Sequence, residues 1–359
     1  MSKFYTLSVA SVERETPDSV LITFDVPDAL REVFGYKAGQ YLTLEADIDG
    51  EPVRRAYSLC TAPEESVWQV GIKRVPGGKF SVFANEKLRP GDTLRVMPPQ
   101  GNFTLPGGIQ DGHRSYVAFA AGSGITPVMS ILKHTLMSVE TASFILFYGN
   151  KTSEDVMFRE TLEQLKNQFL GRLSIHHFFS REQTASPLFH GRIDAAKVRQ
   201  LAGRLFDPST GDLFFACGPG EMVVEVKDTL KELGVPEEAL KYELFTPAGE
   251  KKGAAKASAR AEVKPTLEKV KLIIELDGDD FSLEVDPRLT ILDDGLLNDL
   301  DLPYACKAGI CCTCKAKVIE GEVKMERADS LDQDEIDAGY ILTCQAFPAS
   351  ETVKVDFDV

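Results

Sequence analysis

Five cysteines near the end of the chain limit what it can fold into more than any other feature. They read Cys306-Lys-Ala-Gly-Ile-Cys311-Cys312-Thr-Cys314, with Cys344 thirty positions later. The spacing C-x4-C-x2-C…C suits a [2Fe–2S] cluster, because two tetrahedral irons sharing two sulfides need four thiolates. Small residues at Ala308 and Gly309 let the loop curl tightly and aim backbone N–H groups at the sulfides, which favours the more negative reduced cluster. A zinc site would draw on paired CxxC motifs or Cys/His mixtures, and no histidine occurs in residues 267–359. Cys312 lies inside the loop but off register and is expected to be a small packing residue. Seven cysteines in all, four of them crowded between 306 and 314, make a poor disulfide framework. They point instead to metal chemistry in a reducing compartment, so the cytoplasm is the expected location.

A loop of this kind needs a small α+β scaffold, and residues 267–359 can supply one. Alternating strands are expected at Val270 to Leu276 and Phe281 to Val285, then a helical stretch near Leu289 to Leu300. The 359 residues leave room for two further domains. Residues 1–108 alternate in short apolar runs broken by turn signals such as Asp49-Gly50, Gly77-Gly78 and Pro90-Gly91, the pattern of an antiparallel barrel. Residues 109–246 change character. Continuous apolar strands at Tyr116 to Ala120, Ser143 to Tyr148 and Leu213 to Ala216 alternate with helical stretches at Ser153 to Phe169 and Glu221 to Leu233, which predicts parallel βα units. Residues 247–266 are rich in Ala, Lys and Gly, with Val263 the single large hydrophobe. They are expected to be a linker.

Three glycine-rich or strand-end motifs sit at the joints of these domains. Arg55-Ala56-Tyr57-Ser58 ends an expected strand, and Gly78-Lys79-Phe80-Ser81 opens an expected helix, where free N–H groups attract an anion. Gly122-Ser123-Gly124-Ile125-Thr126-Pro127 joins an apolar strand to a helix. With proline in the sixth position it is not the G-x-G-x-x-G dinucleotide fingerprint, yet its glycines still let a phosphate approach the backbone. Cys217-Gly218-Pro219-Gly220-Glu221-Met222 follows the third apolar strand, and Ser180-Arg181 follows a strand over Leu173 to Phe179.

In order and content these motifs resemble the ferredoxin–NADP reductase superfamily, carrying a C-terminal plant-type ferredoxin. RAYS, GIKRVPGGKFS, VMPPQGNF, YGNK, GRID and CGPGEM extend the similarity over nearly the whole chain, in the layout of reductase components of multicomponent oxygenases. The resemblance implies a multidomain fold: an antiparallel β-barrel flavin domain, an α/β parallel-sheet nicotinamide-binding domain and an α+β β-grasp ferredoxin domain. It implies FAD rather than FMN, with Arg55 on the flavin phosphate, Tyr57 against the isoalloxazine ring, Ser58 near its N5, and Gly78, Lys79, Phe80 and Ser81 at the pyrophosphate. Gly122, Gly124 and Thr126 would meet the nicotinamide dinucleotide, and Cys217, Gly218 and Pro219 would lie near the nicotinamide. Phe245, in the closing Tyr242-Glu243-Leu244-Phe245, would lie over the flavin. Ser180 and Arg181 would grip a 2′-phosphate, which favours NADPH over NADH, since arginine offers a bidentate fork. Cys306, Cys311, Cys314 and Cys344 would hold the cluster.

The chain lacks the pieces of a terminal oxygenase. Its five histidines, His113, His134, His176, His177 and His190, show no paired-His-plus-carboxylate spacing. The acceptor is therefore expected to be another protein: an oxygenase, with a ketosteroid hydroxylase, a cytochrome P450 or a hybrid-cluster protein as alternatives. A redox-sensing metal protein without turnover is the alternative from another class.

Charge narrows the partners further. The chain carries a formal net charge of −15, which argues against a nucleic-acid partner. From Glu268 to Val359 there are 9 basic and 22 acidic side chains, a net −13. An acidic face that steers this domain onto a basic patch of its acceptor is the expectation. No membrane association is expected either, because the most apolar stretch, Tyr116 to Leu132, is interrupted by Gly122, Gly124 and Pro127.

Overall fold

The computed structural model describes residues 4–105, 114–245, 269–328 and 330–358. The expected linker at 247–266 and the junction at 108/109 lie outside the described residues. The chain divides into two compact units, one holding the barrel and the parallel sheet, the other the cysteine loop.

The barrel is built from β1 (Tyr5–Thr16), β2 (Ser19–Asp25), β3 (Tyr41–Ile48), β4 (Glu51–Ser58), β5 (Trp68–Lys73) and, after helix α1 (Lys79–Glu86), β6 (Thr93–Val96). The six strands run in the order β4-β3-β6-β1-β2-β5. A bridge between Leu59 and Val70 brings the two outer edges together. Alternation of apolar and polar residues puts Leu42, Leu44, Val70 and Ile72 inside with no more than trace exposure.

The same unit continues through β7 (Ser115–Ala121), α2 (Ile125–Ser138), β8 (Ser143–Asn150), α3 (Arg159–Gln168), β9 (Leu173–Phe179), α4 (Ala195–Leu201), β10 (Leu213–Pro219), α5 (Gly220–Glu232) and β11 (Leu240–Phe245). These five strands form a parallel sheet in the order β11-β10-β7-β8-β9. Helices cover both faces, so the strands are apolar throughout, as at Val117, Ala118, Phe119 and Ala120. The chain winds outward from β7 to β9 and then returns to place β10 on the other side of β7. The crevice beyond the carboxyl ends of β7 and β10 is therefore the topological switch point, where such sheets bind ligands. Gly122 and Cys217 sit at those two ends.

Polar contacts lock the barrel to the parallel sheet. Ser130 Oγ on α2 donates to the Thr61 carbonyl at 2.6 Å, and Lys133 Nζ meets Glu65 Oε1 at 3.0 Å.

The second unit contains β12 (Val270–Leu276), β13 (Asp279–Val285), α6 (Ile291–Leu297), β14 (Lys315–Glu320), β15 (Val323–Met325), α7 (Gln333–Asp337), β16 (Tyr340–Leu342), β17 (Ala346–Pro348) and β18 (Thr352–Asp356). A mixed sheet of order β13-β12-β18-β14-β16, with β12 and β18 parallel, packs over Ile291, Leu292 and Leu302. This is the expected α+β scaffold. No described helix is long and apolar enough to cross a membrane.

Candidate redox site

The barrel presents its residues from the end of β4 and the start of α1. Arg55 and Tyr57 are half-buried and Ser58 is buried at 3% exposure. The Tyr57 ring lies 5.4 Å from the Phe80 ring, tilted by 43°. Gly78 is the N-cap of α1, so the helix opens on a residue that offers no side chain to its free N–H groups. Lys79 is exposed and pairs with Glu51, which holds that carboxylate below its usual range. Phe80 and Ser81 are buried, and Ser81 Oγ accepts from Val75 N–H at 3.1 Å. Ser81 thus fixes the turn ahead of the helix.

Across from it, the switch point is assembled from two backbones in close contact. Gly122 adopts φ +55°, which glycine tolerates best, and open space lies where its side chain would be. Gly124 packs directly on the Cys217–Gly218 peptide: a Cβ there would stand 2.2 Å from the Cys217 carbonyl oxygen and 2.7 Å from Gly218 N. Thr126 is buried, and its hydroxyl donates to the Ser123 carbonyl at 3.0 Å, tightening the turn. Pro219 is exposed at the rim. At the end of β9, Ser180 N–H donates to the Asn150 carbonyl at 3.1 Å, and Arg181 N–H to the Lys151 carbonyl at 2.9 Å, which leaves the Arg181 side chain in solvent. Next to it a cavity of about 320 Å³ opens between His176, His177, Phe179, Glu182 and Phe189.

Barrel and sheet meet at one carboxyl group. Cys217 pairs with Glu243 across β10 and β11, and the Cys217 thiol lies 4.0 Å from Glu243 Oε2. The Ser58 hydroxyl hydrogen-bonds the same carboxyl. Burial pushes the Glu243 carboxyl up to about 8, with the Ser58 bond opposing the rise. Burial, followed by the Glu243 charge, pushes the Cys217 thiol well up as well. Both groups are thus shifted toward their neutral forms. The sequence motifs singled out Ser58, Cys217 and Phe245 but missed Glu243. The signal that finds it is the register of β11 on β10, a pairing between strands separated by a helix. Phe245 is half-buried and packs against the hydrophobic core that holds Cys217.

In the second unit, the four motif cysteines converge. Cys306 and Cys311 sulfurs stand 3.0 Å apart, and Cys344 is within hydrogen-bonding reach of both Cys306 and Cys314. None forms a disulfide. Thiol donation from Cys311 and Cys344, with backbone N–H groups of Ala308 and Ile310, holds Cys306 well below the usual thiol range. The Ala308 N–H lies 3.3 Å from Cys306 Sγ. Four converging soft donors with backbone N–H groups aimed at them fit a thiolate-held [2Fe–2S] cluster. Cys312 points elsewhere: its thiol donates to the Ser330 carbonyl at 3.0 Å, and burial pushes it up to about 12.

A barrel with an uncapped helix start, a parallel sheet with a glycine turn at its switch point and a four-cysteine loop together fit an iron–sulfur flavoprotein reductase. Family comparisons agree segment by segment. Residues 6–105 match the oxidoreductase FAD-binding domain, 119–228 the oxidoreductase NAD-binding domain and 274–349 the 2Fe-2S iron-sulfur cluster binding domain. The chain is 42% identical to a component of the 1,2-phenylacetyl-CoA epoxidase of Escherichia coli (strain K12), over 100% of its own length and 99% of that protein's. It is 34% identical to the ferredoxin reductase component of 3-ketosteroid-9-alpha-monooxygenase from Rhodococcus rhodochrous, over 99% and 97%. The fold is shared with phthalate dioxygenase reductase (TM-score 0.58, 23% identity, 99% of this chain and 98% of that one). The chain belongs to the FAD-, NAD- and [2Fe–2S]-binding reductase components of multicomponent oxygenases.

Proposed function

We propose that this reductase takes electrons from NADPH, in preference to NADH, and delivers them through its cluster to a phenylacetyl-CoA epoxidase-type oxygenase in the cytoplasm. Bound FAD supplies the step between a two-electron donor and a one-electron acceptor. The observation that carries the reading is the meeting of Ser58 from the flavin barrel and Cys217 from the nucleotide sheet on one half-buried carboxyl, Glu243. Two rings that exchange hydride need a shared floor, and in this reading these residues form it.

In this reading residues 1–108 hold FAD, 109–246 the nicotinamide dinucleotide and 267–359 the cluster, with 247–266 as the tether. Arg55 and Lys79 neutralise flavin phosphates at the Gly78–Ser81 helix start, Tyr57 and Phe245 flank the isoalloxazine, and Ser58 orients at its N5. Lys79 must leave Glu51 to do this. Gly122, Gly124 and Thr126 shape the turn for the second dinucleotide. Cys217, Gly218 and Pro219 hold the nicotinamide end, while Ser180 and Arg181 take the 2′-phosphate. Cys306, Cys311, Cys314 and Cys344 hold the cluster. The epoxidase assignment rests on the likeness to the Escherichia coli epoxidase component; the likeness to the ketosteroid enzyme's reductase supports a ketosteroid hydroxylase as the second acceptor.

The test is a visible spectrum followed by an acceptor panel. Flavin and cluster bands that bleach with NADPH, and turnover with an epoxidase oxygenase exceeding that with a ketosteroid hydroxylase or a cytochrome P450, are the expected results. Failure to bleach sinks the reductase reading in favour of a metal protein without turnover. Bleaching with preference for another acceptor sinks the epoxidase assignment alone.

A further inference from the structure

Tyr148 is fully buried, and its hydroxyl donates to the carbonyl of Gly122 at 3.0 Å. The same carbonyl accepts the N–H of Ile125, which opens α2. Gly122 is the first residue of the turn at the switch point, with φ +55° and open space in front of its Cα. In a trans peptide the C=O and the following N–H point in opposite directions. Holding the Gly122 oxygen toward the buried ring therefore turns the Ser123 N–H away from it, to the accessible side of the turn. Rotation of that peptide would exchange the two and present a carbonyl oxygen to the site, which repels an anion. The Ile125 bond alone closes a loose one-turn helix; the Tyr148 bond adds an anchor from a different strand. The Asn150 side chain and the Met157 backbone also lie near the Tyr148 hydroxyl.

We propose that Tyr148 is a positioning residue for dinucleotide binding: its hydroxyl sets the Gly122–Ser123 peptide so that an N–H, and not a carbonyl, meets the pyrophosphate of NAD(P)H. This rests on the assignment of the Gly122–Thr126 turn to the dinucleotide. The pyrophosphate is common to NADH and NADPH, so the effect is blind to the 2′-phosphate, unlike any effect at Arg181.

The experiment measures equilibrium binding of NADP⁺ and of NAD⁺ to FAD-loaded wild-type protein and to Tyr148→Phe by calorimetry, with unfolding temperature and flavin absorbance recorded alongside. Loss of one hydrogen bond that orients a donor to a charged group is expected to weaken both dinucleotides about tenfold and equally, with flavin content unchanged. Binding within twofold of wild type, with only the unfolding temperature lowered, overturns the proposal and makes Tyr148 a packing residue. Wild-type protein that binds neither dinucleotide overturns the assignment of the turn, and this proposal with it. Amide exchange in unliganded wild-type protein gives a readout that does not depend on the variant folding. The Ile125 amide, bonded to the same carbonyl, is expected to exchange slowly before any dinucleotide is added. Fast exchange there that slows only with NADP⁺ shows a turn formed by its ligand and overturns the proposal.

Discussion

The Cys217 thiol and the Glu243 carboxyl face each other at 4.0 Å across two parallel strands, with the Ser58 hydroxyl bonded to the same carboxyl. Burial raises the Glu243 carboxyl to about 8, so the folded state keeps a proton that an unfolded chain loses near its ordinary value of 4.5. The folded pKa is the higher one. Folding therefore binds the proton, and the stability this contributes is complete at low pH and is lost as pH rises through the window from 4.5 to about 8. Relative to Glu243→Gln, which cannot titrate, wild-type protein is expected to lose stability by up to about 1.4 kcal/mol per pH unit within that window. Urea titrations of both proteins at several pH values check it, and parallel curves would show that Glu243 does not hold its proton.

The same arrangement makes a steric prediction at the neighbouring turn. A methyl group at Gly124 would stand 2.2 Å from the Cys217 carbonyl oxygen, and a backbone atom cannot swing away as a side-chain end can. Gly124→Ala is expected to push the turn off β10, weakening NADP⁺ binding and costing roughly 1–3 kcal/mol of stability. The cysteine-loop spectrum should be unchanged. Calorimetric binding and thermal unfolding measure the two effects.

How much of this is legible in the sequence depends on the range of the interactions. The cluster cysteines follow from local spacing, and the barrel and parallel sheet from runs of alternating or continuous apolar residues. Element ends were harder to read. The expected helix from Ser153 to Phe169 begins only at Arg159, because Phe158 sits at φ +59° with its N–H taken by Glu15 from the barrel. The stretch from Leu289 to Leu300 shrinks to α6, capped by the Thr290 side chain and ended at Asp299, whose φ is +61°. Glu243 carries no local sequence signal, for a related reason. Its partner Cys217 becomes a neighbour only when β11 returns beside β10, and Ser58 comes from another sheet altogether.

Arg181 projects from the end of β9 into solvent beside the cavity formed by His177 and Phe179. An exposed guanidinium with no ion pair among the described residues can meet a phosphate bidentately. Arg181→Ala is expected to raise KM for NADPH roughly ten- to hundredfold through loss of a charge-assisted pair while leaving KM for NADH near wild type. Steady-state reduction of ferricyanide with each donor decides it; an equal effect on both donors would remove the basis for NADPH preference.

Cys306 has thiol and backbone donors gathered on its sulfur, and its loop folds in a unit separate from the barrel and sheet. Cys306→Ser is expected to abolish the cluster bands and transfer to a protein acceptor. NADPH should still bleach the flavin at a near-normal rate in stopped-flow measurements. Loss of both reactions would mean that the two units do not function separately.

Residues 268–359 carry most of the chain's surplus charge, a net −13, and the four thiolates of a loaded cluster add to it. Much of any such excess simply keeps a domain hydrated. An acidic face used for docking differs in one measurable respect: it accelerates encounter with a basic partner over distances that salt can screen. The screening length falls from about 10 Å at 0.1 M salt to about 3 Å at 1 M. In the proposed reading, flavin reduction by the nicotinamide dinucleotide takes place within the barrel-and-sheet unit, which lacks this concentration of charge. Raising salt over that range is therefore expected to slow electron delivery to the oxygenase steeply, in the second-order rate constant and not in the limiting rate, while flavin reduction changes little. Stopped-flow traces of both steps across a salt series provide the measurement. A delivery rate indifferent to salt would assign the acidity to solubility alone.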